Sequence, residues 1–208
     1  MPTANPDYKD RLRQLAELML AVSGESVSVM KRLAPEKALK LKRKDEWDLY
    51  LEFLKILFNL ADRLAALHIP LKDQMDFMNA LEDTVAQQLQ RVLEPAFGNH
   101  ADQMEIVLTI GTAVAESRQA YEPYKFLVTE ESQAKNEMFR DFGNRIANAL
   151  GAPGNPQLTS AATLCASAVV PAIGAVLQGQ TPPPATSAQP ATATVSEQPD
   201  KPGATGQE

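Results

Sequence analysis

Prolines and glycines divide this chain into lengths that suit helices, and the apolar residues between them recur every three or four positions. The dividers are Pro6, Pro35, Pro70, Pro95, Pro123 and the run from Gly151 to Pro156. No stretch alternates polar and β-branched residues over the length of a strand, and no Asn-Gly or Asp-Gly pair offers a hairpin turn. The chain therefore reads as all-α: a single-domain bundle of about six helices over residues 1–178, with a disordered Pro/Ala/Thr-rich tail over residues 179–208. Six prolines stand from Gly179 onward, with Val195 as the only large aliphatic side chain there. Burial has almost nothing in that stretch with which to offset the entropy of ordering.

Asn5 is the expected cap of the first helix, with Pro6 in its first turn and Tyr8, Leu12, Leu15, Met19 and Val22 on one face. Gly24 is expected to end or bend it, leaving residues 26–33 as a further segment and residues 35–44 as a short basic helix. Residues 45–68 carry an apolar arc so wide, from Trp47 and Tyr50 through Phe53, Leu54, Leu57 and Phe58 to Leu64, that the helix is expected at the centre of the bundle. After Pro70, an inward face of Leu71, Met75, Met78, Leu81, Val85, Leu89 and Val92 is expected to run until Pro95 and Gly98 stop it. Asn99, with Asp102 three positions on, suits a cap for a helix with Met104, Val107, Leu108, Gly111, Val114 and Ala115 inward. Thr129 is expected to cap a helix carrying Phe139, Phe142, Ile146 and Leu150, with Gly151 as a left-handed stop. A last helix over residues 157–177 is expected to bury Leu158, Ala161, Cys165, Ala168, Ala172, Ile173 and Val176.

Charge narrows the function classes. The net charge of −6 weighs against a general nucleic-acid binder. Its distribution is uneven: Lys31, Arg32, Lys37, Lys40, Lys42, Arg43 and Lys44 face a single acid, Glu36, a local charge of +6 that leaves −12 on the rest of the chain. Such a strip suits a membrane-surface, nucleic-acid or acidic-partner contact, or else a connector attracted to the protein's own acidic surface, the preferred reading. Glu52, Lys55, Asn59, Asp62 and Arg63 form a polar stripe on the central helix. Their spacing suits solvated pairs, notably Glu52 with Lys55 and Asn59 with Arg63, and leaves a partner groove or a catalytic cleft as the alternatives.

The inventory for chemistry is thin. His68 and His100 belong to no ligand motif and fall at helix ends, and the lone Cys165 has no charge near it in sequence to activate it. No Gly-rich phosphate loop precedes a Lys and a Ser or Thr, and Gly111 reads as a close-packing position. No cofactor or metal is expected. Residues 158–177 are long enough to cross a bilayer, but Thr, Ser, Pro and Gly dilute them, and a small-residue helix docked on the bundle is preferred. Met75, Phe77 and Met78, and Tyr121, Tyr124 and Phe126, read as core rather than as binding surfaces. The leading functional expectation is a cytoplasmic, non-catalytic adaptor or scaffold that binds another protein, with homo-oligomerisation open. A peripheral membrane protein using the basic strip and residues 158–177 is the first alternative, and a small-ligand protein or enzyme with an interhelical pocket the second.

Overall fold

Ile56 to Ala61, six consecutive residues, are all buried, which a helix allows only when neighbours cover it on every side. They sit in α3 (Arg43–His68) of a computed structural model that describes residues 8–97 and 103–180. The other helices are α1 (Lys9–Leu33), the single turn α2 (Pro35–Ala38), α4 (Leu71–Phe97), α5 (Gln103–Tyr121), α6 (Gln133–Ala149), α7 (Pro156–Ser167) and α8 (Val170–Leu177), with no strand among the described residues. α3 packs against α1, α4, α5, α6, α7 and α8, and one continuous apolar core joins them. The expected cap at Asn5, the stop at Gly98, the Asn99 cap with Asp102, His100, and the tail from residue 181 lie outside the described residues. Gly179 and Gln180 are still tied to α8, their N–H groups donating to the Val176 and Ala175 carbonyls at 2.9 Å.

α1 runs straight through Gly24. Its buried stripe is Leu12, Leu15, Ala16, Met19, Ser23, Ser26, Val27 and Met30, an unbroken helical period in which two serines take apolar positions. α4 likewise continues past Pro95 to Phe97, since only one turn remains for the missing N–H to weaken. The cap of α6 is Ser132, whose hydroxyl accepts the Lys135 N–H at 3.2 Å; Thr129 lies in the preceding turn instead. Gly151 is the expected left-handed stop, with φ of +66°.

The expected last helix is two. Asn155 caps α7 by accepting the N–H groups of Gln157 and Leu158. Pro171 has no N–H to give the Ser167 carbonyl and its ring crowds it, so the chain turns at Ala168 and Val169 and restarts as α8. The buried positions are Leu158, Ala162, Ala166, Val169, Ile173, Val176 and Leu177, not the expected Ala161, Cys165, Ala168 and Ala172. α7 docks on α6 at Gly143, where backbones approach so closely that an added Cβ would stand 2.5 Å from the Thr159 carbonyl oxygen. Residues 156–177 taken together are long and apolar enough to cross a membrane, with mean hydropathy 1.9, but the break divides them into helices of 12 and 8 residues.

Candidate functional site

The basic strip connects α1 to α3. Its helical part is shorter than expected: α2 ends at Ala38, and Arg43 and Lys44 already belong to α3. The reason is local, because the Asp45 carboxylate accepts the Lys42 N–H at 2.9 Å and so starts a new helix there. No residue of α2 is buried, and Leu39 just beyond it is 89% exposed. Lys31 Nζ pairs with Glu46 Oε1 at 2.7 Å. Arg32, Lys37, Lys40, Lys42, Arg43 and Lys44 are exposed and form no ion pair among the described residues. Self-attraction thus accounts for one of the seven cations.

The polar stripe of α3 divides into two settings. Its upper half borders a groove of about 840 Å³ between α3, α5 and α6, where Lys55 Nζ bridges Glu52 Oε1 and Glu116 Oε2, each at 2.6 Å. Burial alone would lower the Lys55 pKa, but hydrogen bonds to Glu116 and Glu52 outweigh it and hold the ammonium above its ordinary value. The Ser117 hydroxyl donates to the Lys55 carbonyl at 2.7 Å, which fixes α5 against α3. The lower half borders a groove of about 320 Å³, and there Arg63 is fully engaged. Its Nε donates to Asn59 Oδ1 at 2.8 Å, and its Nη atoms donate to the carbonyls of Tyr121, Tyr124 and Phe126 at 3.0, 2.7 and 3.3 Å. Arg63 also lies 4.3 Å from the centre of the Phe126 ring. Asp62 is exposed. The stripe therefore ties α3 to α5 and to the α5–α6 connection.

Arg145 lines the larger groove and stacks on the Tyr121 ring at 4.6 Å, yet its Nε and Nη2 and the Tyr121 hydroxyl are buried without a hydrogen-bond partner. Burial pushes the Tyr121 phenol up from its ordinary pKa, with the Arg145 cation opposing. A dehydrated hydroxyl that has only the Arg145 guanidinium beside it, outside hydrogen-bond geometry, opposes folding. Tyr121→Phe is accordingly expected to leave stability unchanged or raise it by about 1 kcal/mol; a thermal melt showing a loss of that size would mean the hydroxyl has a partner after all.

α3 leaves no broad bare patch, whereas α5 does. Of the expected inner face, Met104, Val107, Leu108, Gly111, Val114 and Ala115, only Val114 is buried; Ile106, Ile110, Ala113, Ser117 and Tyr121 complete the buried set. Met104, Val107 and Leu108 are 64%, 42% and 62% exposed. α5 is apolar on several sides at its start, and the anchors that choose its face, Ser117 and Tyr121, lie at its end. Leu71, Met75 and Val92 of α4, also expected inward, are exposed near its two ends, while Phe77, Met78, Leu81, Val85 and Leu89 are buried. Tyr121 is in the core, and Tyr124 and Phe126 pack against it.

A third groove, of about 840 Å³, lies among α6, α7 and α8, with Thr159, Ser160, Thr163 and Ser167 along it beside Lys135 and Arg140. Lys135 is tied to Glu131 at 2.7 Å. Among the described residues no group of three His, Cys, Asp or Glu side chains is placed to hold a metal. Cys165 is half-buried, and burial raises its pKa with a contact to Ser26 opposing, the opposite of what an attacking thiolate needs. His68 is the last residue of α3, beside Gln178. No family model, curated protein or solved structure matches this chain.

Proposed function

We propose that this protein acts by binding rather than by catalysis, as an adaptor whose basic α1–α3 connection docks on an anionic partner. One observation carries the reading: six of the seven cations of residues 31–44 stand exposed and in no ion pair among the described residues. Holding six like charges on so short a connection costs free energy through mutual repulsion, and an anionic surface removes that cost. The polar stripe of α3, the other candidate, spends Lys55 and Arg63 on tying helices together.

The test uses the full chain with Lys37→Glu and Lys40→Glu together, both on the exposed surface. Their folding stability is expected within about 0.5 kcal/mol of the unmodified chain. Binding to poly-glutamate, followed by fluorescence anisotropy at low salt, is expected to weaken by at least about tenfold, and binding by the unmodified chain to fall steeply as salt is added. Equal affinities for the two proteins would overturn the reading.

A further inference from the structure

We infer that the anionic partner of the basic connection is a lipid surface, on which the protein sits peripherally with Leu39 as an apolar wedge. The inference rests on the binding role proposed above for residues 31–44 and names its partner. Three features of the connection favour a membrane over an acidic protein. First, none of the three grooves described above is lined by any residue of 31–44. A protein partner that recognises an exposed turn must match a fixed charge register, whereas a sheet of anionic headgroups accepts cations in any register.

Second, Leu39 is 89% exposed, the most exposed of the large apolar side chains among the described residues, and it stands between Lys37 and Lys40. In water that placement gains nothing; at a headgroup boundary the leucine enters the acyl region while the flanking ammonium groups stay with the phosphates. Leu41, two positions on, packs against the core and Lys42 hydrogen-bonds through its N–H to Asp45, so the wedge is held on a tethered turn. Third, Glu46 is engaged with Lys31 and Asp45 with the Lys42 backbone, which leaves Glu36 alone against the six other cations of the strip. More distant acidic residues are screened beyond about 8 Å at physiological ionic strength, so the local charge governs the encounter. Each Lys or Arg held at an anionic surface raises partitioning about fivefold, and six unpaired cations are ample for a peripheral contact.

Co-sedimentation of the full chain with vesicles tests this, using phosphatidylcholine alone and phosphatidylcholine with about 30% phosphatidylserine. Binding is expected only to the anionic vesicles, at about 50 mM salt, and to be released at about 500 mM. Lys37→Glu with Lys40→Glu is expected to weaken it by at least about 25-fold, and Leu39→Ala by about tenfold. Leu39→Ala touches no buried group, so the fold is not at stake, and it separates a wedge from a purely electrostatic contact. Three outcomes would overturn the inference: no binding to anionic vesicles at low salt, binding that persists at high salt or in the charge-reversed protein, or indifference to Leu39→Ala. If vesicles fail while poly-glutamate still binds through Lys37 and Lys40, the lipid assignment falls and the broader role stands. If both probes fail, both fall.

Discussion

Replacing Gly143 by alanine is expected to destabilise the protein by about 3 kcal/mol, a large effect for one methyl group. The added Cβ would lie 2.5 Å from the Thr159 carbonyl oxygen, 2.9 Å from Thr159 Cγ2 and 3.0 Å from Thr163 Oγ1. A flexible side chain could swing away, but a backbone oxygen moves only if α7 moves. α7 is held by the Asn155 cap, by Leu158, Ala162 and Ala166 in the core, and by the Thr163 hydroxyl donating to the Phe139 carbonyl at 3.0 Å. Alanine's better helix propensity returns only about 1 kcal/mol, so the steric cost dominates. The thermal midpoint is expected to fall by roughly 10 °C, measured by circular dichroism. A melt within about 2 °C of the unmodified protein would show that α6 and α7 do not meet at this point.

Gly24→Ala is the matched control. Gly24 is also interior to a helix, but the nearest atom to an added Cβ is on the Tyr50 ring at 4.0 Å. Here propensity wins, and stability is expected to rise by about 0.5 to 1 kcal/mol. The two glycines show what the sequence could and could not reveal. Both interrupt apolar periodicity in the same way, and only the partner helix distinguishes a break, a close contact and an idle position. At Gly24 the difficulty was compounded by Ser23 and Ser26, buried residues that look like surface and hid the continuity of α1.

Where apolar side chains were large and numerous the sequence was legible, as on α3, where the expected arc from Phe53 to Leu64 is buried and its first members, Trp47, Tyr50 and Leu51, are half-buried against the core. Where a helix offered two similar faces it was not. α7 is rich in Ala, Ser and Thr, small side chains that differ too little in transfer free energy to select a face, and its buried set came out displaced around the helix, while Ile173 and Val176 of α8 are buried as expected. For the candidate sites, the short-range pairs were readable: Glu52 with Lys55 and Asn59 with Arg63 both form. Their long-range partners, Glu116 and the carbonyls of Tyr121, Tyr124 and Phe126, were not, because nothing in local spacing tells a solvated arginine from one that crosses to another element. The basic strip was visible as composition, but its solvation depended on which acids the fold brought near, and among the described residues the one side chain that pairs with it is Glu46, fifteen positions from Lys31.

Arg63→Ala is expected to cost about 3 kcal/mol, and Arg63→Lys nearly as much. Removing the guanidinium leaves the carbonyls of Tyr121, Tyr124 and Phe126 without this charged donor, and Asn59, which is only 8% exposed, without the partner of its side-chain oxygen. It also removes the cation from the Phe126 ring. A lysine restores the charge, but one ammonium cannot deliver the planar fan of N–H groups that reaches four acceptors on α3, α5 and the α5–α6 connection. Urea denaturation measures the loss. Amide exchange should localise it to residues 121–128, which lead to the Tyr124 hydroxyl's bond to Asp141 on α6. The outcome bears on function as well as on stability. If Arg63→Ala left both stability and exchange unchanged, the guanidinium would be free for a ligand, and the case for chemistry in the α3 stripe would strengthen at the expense of binding through the basic connection. If the loss appears as expected, the stripe is spent on holding the bundle together, and the exposed cations of residues 31–44 remain the charge the fold has not used.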